Sequence, residues 1–241
     1  AVPRTKNVEE LRRKMRAGDV LFHRVPNAHA TRVPGFGPIT TNDVLSAVKG
    51  DPYFHTSIYS GRGRIIESGA GETERVEAAN LFRKKGGKFT PHYKDKEEFK
   101  VYRPKVSPDE TTKAVEFAKA SKGKEYSSFG RQLEHVGRHL FDPTGGPKAG
   151  CKTTSKGTTC TELISEAYPK VVKKQYASPI DMRQSKDMEL VARYGSSIPM
   201  SLREKVLARG VYPILKNLKY GVGAGALAYG GMKLHDMIRD E

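Results

Sequence analysis

The chain has 241 residues, with 43 Lys and Arg against 27 Asp and Glu, a formal net charge of +16, and two cysteines. That length suffices for one buried core with an appended region, and the charge exceeds what solubility needs. It favours an anionic neighbour: membrane headgroups, a cell-wall polymer, nucleic acid or a packaged virion interior. The absence of RNP-like aromatics and of zinc-finger spacing argues against sequence-specific reading of nucleic acid, and two cysteines do not make a disulfide framework.

From the amino terminus, Asn7-x-x-Glu10 predicts a capped basic helix carrying Val8, Leu11 and Met15 and ending at Gly18, where the strand Asp19-Val20-Leu21-Phe22 begins. Asp19, at a strand start, is expected to hold backbone N–H groups. A long Pro/Gly-rich insertion follows, centred on Val33-Pro34-Gly35-Phe36-Gly37-Pro38, and reads as a loop over a cleft or a partner-binding element. His55-Thr56-Ser57-Ile58-Tyr59-Ser60 then reads as a strand, Gly61-Arg62-Gly63-Arg64 as a turn and Ile65-Ile66-Glu67-Ser68 as the returning strand. An even-length loop brings Ser68 to the face of His55, whereas a three-residue loop or a bulge brings Glu67; a carboxylate is the stronger partner for an imidazolium, which favours Glu67.

Val76 to Phe82 has the spacing of a short helix, and Phe99 to Arg103 that of a strand. Ser107-Pro108-Asp109-Glu110 supplies a cap, an N1 proline and an N3 glutamate for a helix bearing Val115, Phe117 and Ala118. Tyr126 is expected in the core or lining the cleft. His135 and His139 lie one helical turn apart, but Val136 stands where a zinc-protease helix needs glutamate and no third ligand is evident, so no metal is expected. Cys151 sits in a flexible approach, Thr144 to Gly150, and receives no role.

Thr159-x-x-Glu162 is a second capping-box pattern and places Cys160 in the first turn of a helix that Pro169 stops. A thiol there feels the positive end of the helix dipole, which favours the thiolate, and the same N–H groups are suited to an oxyanion. Leu163, Ile164 and Ala167 recur at helical spacing, so the sulfur is expected on the inward face. A nucleophilic thiol needs a base, and His55 on its hairpin is the best placed of the seven histidines. Farther on, residues 210–232 contain Tyr220 to Met232, a run of small residues suited to close helix approach but shorter than a transmembrane span and bounded by Lys216, Lys219 and Lys233. It is expected to dock on its own domain or to contact a membrane or another protein. The opening Ala1-Val2-Pro3-Arg4-Thr5-Lys6 has no apolar region, so no secretory signal is expected, and a reduced compartment or a virion interior is favoured.

Five segments, in order, resemble a known family. Gly18-Asp19-Val20-Leu21-Phe22, His55-Thr56-Ser57-Ile58-Tyr59, Ile65-Ile66-Glu67-Ser68, Gly123-Lys124-Glu125-Tyr126-Ser127-Ser128-Phe129 and Cys160-Thr161-Glu162-Leu163-Ile164 are similar to motifs of the circularly permuted NlpC/P60 papain-like cysteine hydrolases. That branch includes YiiX-like proteins and, more distantly, lecithin:retinol acyltransferase-type enzymes. The resemblance runs from Gly18 to Tyr168, and Thr56 and Ser57 depart from the small or branched residues usual after the histidine. It implies an α+β, papain-like fold with an antiparallel sheet against the nucleophile helix. It further implies Cys160 as nucleophile, His55 as base and later acid, Glu67 as the residue orienting His55, and no cofactor.

The expected organisation is a basic helix over 1–17, a catalytic domain over 18–180 and a helical, Gly-rich appendage over 181–241. The expected function is a cysteine hydrolase, an amidase or peptidase working through a thioester acyl-enzyme on a cell-wall peptide, isopeptide or acylated substrate. Two alternatives stand beside it: a basic structural, virion-associated or membrane-binding protein that keeps the fold, and a lipid acyltransferase or esterase. Basic patches such as Arg12-Arg13-Lys14 and Arg83-Lys84-Lys85 are the expected contact with an anionic membrane or polymer.

Overall fold

A computed structural model of the chain describes residues 2–24, 30–33, 37–40, 53, 55–68, 75–85, 88–91, 98–126, 157–173 and 179–195. The frame is a seven-stranded mixed sheet of strands β1 (Arg4–Thr5), β2 (Val20–Arg24), β5 (His55–Gly61), β6 (Arg64–Ser68), β7 (Val76–Asn80), β10 (Glu98–Pro104) and β13 (Met188–Tyr194), in the order β1-β13-β10-β2-β5-β6-β7. Every neighbouring pair is antiparallel except β1 with β13. Among the described residues, three small pairings lie outside this sheet: β3 (Ala30–Val33) with β4 (Gly37–Thr40), β8 (Phe82–Lys85) with β9 (Lys88–Pro91), and β11 (Glu125–Tyr126) with β12 (Gly157–Thr158). The helices are α1 (Val8–Lys14), α2 (Pro108–Ala120), α3 (Cys160–Ala167) and α4 (Pro179–Gln184). The fold class is α+β, as the alternation of hairpins and helices predicts.

Strand β2 explains why the sheet is covered on both sides. All five of its residues are buried, as expected of a strand with no solvent face. Val20 and Phe22 point into a core shared with Ile58, Ile66, Ala114, Val115, Leu163 and Ile164, which seats α2 and α3 on that face. Leu21 points the other way, with Tyr59, Ile65, Phe99 and Leu11, and seats α1. Leu163 and Ile164 are fully buried, and each such side chain contributes roughly 1.5–3 kcal/mol.

The three predicted caps form. Asn7 accepts from the N–H groups of Glu9 and Glu10, and Ser107 with Glu110 makes a reciprocal capping box behind the N1 proline. Helix α1 stops at Lys14, earlier than expected, and Gly18 then turns the chain with a φ of +93°. Asp19 does hold backbone there: its carboxylate accepts from the Arg16 N–H at 2.8 Å and from Arg103 at 2.8 and 2.9 Å.

Two expectations are corrected. Val76–Phe82 is not a helix; Val76–Asn80 is strand β7, paired along its length with β6. Val76 and Ala78 enter the α2/α3 core while Ala79 enters the other, so the free edge of β6 selects the strand from a pattern that also suits a helix. The boundary at 180/181 does not separate a helical appendage either. Residues 188–194 form β13, inside the sheet between β1 and β10, and β1 ties the amino-terminal segment to the same sheet. Of the Pro/Gly-rich insertion, the β3–β4 hairpin is described. His135, His139, Cys151 and residues 210–232 lie outside the described residues. Among the described residues, no helix is long and apolar enough to cross a membrane.

Candidate active site

The lead-in to Cys160 is held by short-range and long-range bonds together. Strand β12 pairs with β11 in parallel and delivers the chain to Thr159, the N-cap of α3. The Thr159 hydroxyl accepts from the Glu162 N–H at 3.2 Å, and the Glu162 carboxylate accepts from the Thr159 N–H at 2.7 Å. This is the predicted capping box, and Cys160 is the first helical residue, 7% exposed. Two hydroxyls of the sheet fix the turn from behind: Thr56 donates to the Cys160 carbonyl at 2.8 Å and Ser68 to the Thr158 carbonyl at 2.7 Å. Thr56 is thus the residue that joins β5 to the helix end.

His55 opens β5, and its Nε2 lies 2.7 Å from the Glu67 carboxylate on β6. The register that brings them together has an identifiable cause. Arg62 and Gly63 both have positive φ, at 54° and 77°, which makes a two-residue hairpin loop between Gly61 and Arg64. That even loop alone brings Ser68 to the His55 face. A bulge between Tyr59 and Gly61 inserts one residue and shifts the pairing to Ser57 with Glu67. Glu67 therefore shares the face of His55, and Ser68 turns to α3.

With Nε2 engaged by Glu67, the ring leaves Nδ1 for the thiol, and the Cys160 side chain lies within hydrogen-bonding reach of the ring. Burial pulls the imidazolium down, but the bonds to Cys160 and Glu67 and the negative charge on both outweigh it and push His55 up to about 10. The His55 and Glu67 side chains are 20% and 13% exposed, so the pair is accessible yet poorly screened. The three residues that the resemblance assigns to catalysis are thus brought together from β5, β6 and α3.

Sequence comparison adds no family: no family profile matches the chain, and no curated protein does. Among solved structures, the chain is similar to the metalloprotein yiiX from Escherichia coli O157:H7, at 15% identity and a TM-score of 0.32, over 76% of this chain and 99% of that one. A likeness at that level carries no argument about the site. The chemistry rests on this chain's own residues.

One site residue was not singled out in the sequence. His23, 1% exposed, pairs directly with His55 across β2 and β5, and the two ring centroids are 5.4 Å apart. Its Nε2 lies 2.8 Å from the Ser57 hydroxyl, and Ser57 stands opposite Glu67. The available signal was a histidine in an otherwise apolar run after Gly18. Burial, then the positive charge of His55, pulls His23 down to about 3, against the opposing pull of Glu67. His23 is therefore neutral beside a charged His55.

A pH effect follows from that depression. Unfolded His23 takes up a proton near the ordinary histidine value of about 6.5, whereas the folded state resists it until about 3. Its contribution to stability is present above about 6.5 and is lost as pH falls from there toward about 3. Urea midpoints measured from pH 7 to pH 4 are expected to fall less steeply for His23→Gln than for the wild type; parallel curves would reject this account.

A cleft of about 470 Å3 lies elsewhere, lined by Gly18, Asp19, Ser60, Arg103 and Thr111. It opens at the far end of β5 from His55, and neither His55 nor Cys160 lines it. Among the described residues, no group of three or more His, Cys, Asp or Glu is placed to hold a metal.

Proposed function

We propose that this protein is a papain-like thiol hydrolase of the permuted NlpC/P60 type, cleaving an amide bond of a peptide, isopeptide or other acylated substrate. The observation that carries the reading is the His55 ring held between the Glu67 carboxylate, at 2.7 Å, and the Cys160 thiol on a helix N-terminus. Glu67 keeps the ring charged and oriented, and the ring keeps the thiol as thiolate.

The sulfur adds to the carbonyl carbon, and the oxygen gains the negative charge near the first-turn N–H groups of α3. Protonated His55 gives its proton to the leaving nitrogen as the C–N bond breaks, leaving a thioester on Cys160 and a neutral ring. Neutral His55 then takes a proton from water while the hydroxyl adds to the thioester carbonyl, and the C–S bond breaks to restore thiolate and imidazolium. An alcohol or amine in place of water makes the same site an acyltransferase. The net charge of +16 supports a second reading, a basic assembly or membrane-binding protein that keeps this fold without turnover.

The test is intact-mass spectrometry after incubation with a panel of peptide amides, cell-wall peptides and acyl esters. The expected result is a hydroxylamine-labile acyl adduct mapped to Cys160. A panel without any adduct, with Cys160 also no more reactive than a free thiol, favours the second reading.

A further inference from the structure

The sheet register places three cations in one row. Arg4 pairs with Arg193, Arg193 with Lys100, Lys100 with Phe22, and Phe22 with Thr56. Directly paired residues share a face, so the row runs along the face that carries α3 and ends at Thr56, whose hydroxyl binds the Cys160 carbonyl. Lys100 lies two strands from Thr56, about 10 Å.

The charges in this row are not balanced. Glu98 is bound by Arg4 and accepts from the Tyr53 hydroxyl at 2.6 Å. No ion pair or hydrogen bond among the described residues engages the Lys100 ammonium, which stands 4.1 Å over the Tyr53 ring. The buried Arg193 Nε has no hydrogen-bond partner among the described residues. Burial and then the Arg193 guanidinium push Lys100 below its ordinary range, Arg4 adding to this and Glu98 opposing it. Half-buried cations held side by side are stabilised by an anion that bridges them.

We infer that Lys100 and Arg193, with Arg4 behind them, form a subsite for a compact oxyanion, a phosphate or carboxylate group carried by the molecule whose acyl carbon meets Cys160. Tyr53 and Phe22 are its apolar neighbours, with the Arg183 guanidinium over both rings at 4.9 and 5.9 Å, so the row fits a single anionic group better than an extended polyanion. The catalytic half of this inference rests on the proposed thiol chemistry; the binding half does not.

Two measurements on the full-length protein separate the halves. The first is calorimetric titration with N-acetyl-O-phosphoethanolamine and N-acetyl-β-alanine. Saturable binding of at least one is expected in the wild type and in Cys160→Ala, weakened about tenfold or more in Lys100→Gln/Arg193→Gln. It should be unchanged in the charge-matched Lys122→Gln/Lys173→Gln, with circular dichroism confirming that each variant is folded. The second compares Cys160 alkylation by N-chloroacetyl-O-phosphoethanolamine, N-chloroacetyl-β-alanine and neutral N-chloroacetylethanolamine. An anionic probe is expected to react about tenfold faster than the neutral one in the wild type, and within about twofold of it in Lys100→Gln/Arg193→Gln. The faster anionic probe identifies phosphate or carboxylate as the group. Binding without preferential alkylation overturns the link to Cys160 and leaves the anion subsite. No saturable binding, or equal loss in both double variants, overturns the subsite itself, whatever the reactivity of Cys160.

Discussion

Cys160→Ala is expected to abolish turnover and labelling of this position by iodoacetamide, and His55→Ala to slow labelling of Cys160 by up to about thirtyfold near pH 7. The second figure follows from the thiolate fraction: a free thiol with a pKa of about 8.5 is only about 3% ionised at pH 7, whereas a thiol paired with a charged ring is mostly ionised. Turnover should fall further, by about 10²–10⁴, because the ring also moves the proton to and from the reacting groups. His55 holds its proton up to about 10, so turnover that needs the imidazolium is lost as pH rises through that value. Glu67→Gln keeps a polar neighbour but removes the charge, so the alkaline limb should move to lower pH. Pre-steady-state labelling read by peptide mass spectrometry checks the rates, with Cys151 as the internal comparison. Equal labelling of Cys151 and Cys160 near neutral pH would show that the thiol is not activated.

Gly18→Ala is expected to destabilise the protein by about 2–5 kcal/mol, a large share of the roughly 5–15 kcal/mol that holds a domain folded. Two costs combine. The backbone there has a φ of +93°, a region where a side chain costs of order 1–2 kcal/mol. A Cβ at this position also falls 2.3 Å from the Thr111 Cγ2 and 2.8 Å from the Tyr168 hydroxyl, and overpacking of this kind costs about 1–3 kcal/mol. The Tyr168 hydroxyl donates to the Gly18 carbonyl at 2.6 Å, so the clash also pushes on the residue that ends α3. Urea denaturation measures the loss, and Thr111→Ser in the Gly18→Ala background removes the Cγ2 methyl. That second change should recover the Thr111 share of the steric cost and leave the Tyr168 contact and the backbone part. A Gly18→Ala protein within about 0.5 kcal/mol of wild type would mean that the turn at Gly18 is not as described.

The helix caps that the described residues bear out share a short range. Asn7, Ser107 and Thr159 each bond to groups two or three residues away, so the cap is written in a few consecutive letters. The start of α3 at Cys160 and its inward Leu163 and Ile164 were legible for that reason. Val76 to Phe82 was not, because its apolar positions suit either period and the deciding partner, β6, is a separate segment. The place of residues 188–194 in the sheet was not legible on the same ground: their position between β1 and β10 joins the two ends of the described chain, and no local pattern announces it.

The site divides along the same line. The sequence by itself determined which groups are present near Cys160: a thiol at a helix N-terminus, and a histidine hairpin with Glu67 and Ser68 as rival partners. Only the tertiary structure decided between those rivals, because one bulged residue between Tyr59 and Gly61 reverses which face every later residue of the hairpin occupies. It also brought His23 beside His55 and aligned Arg4, Arg193 and Lys100 into one row. Those neighbours come from strands far apart in the chain, and strand register is set by the whole sheet's packing rather than by any one strand.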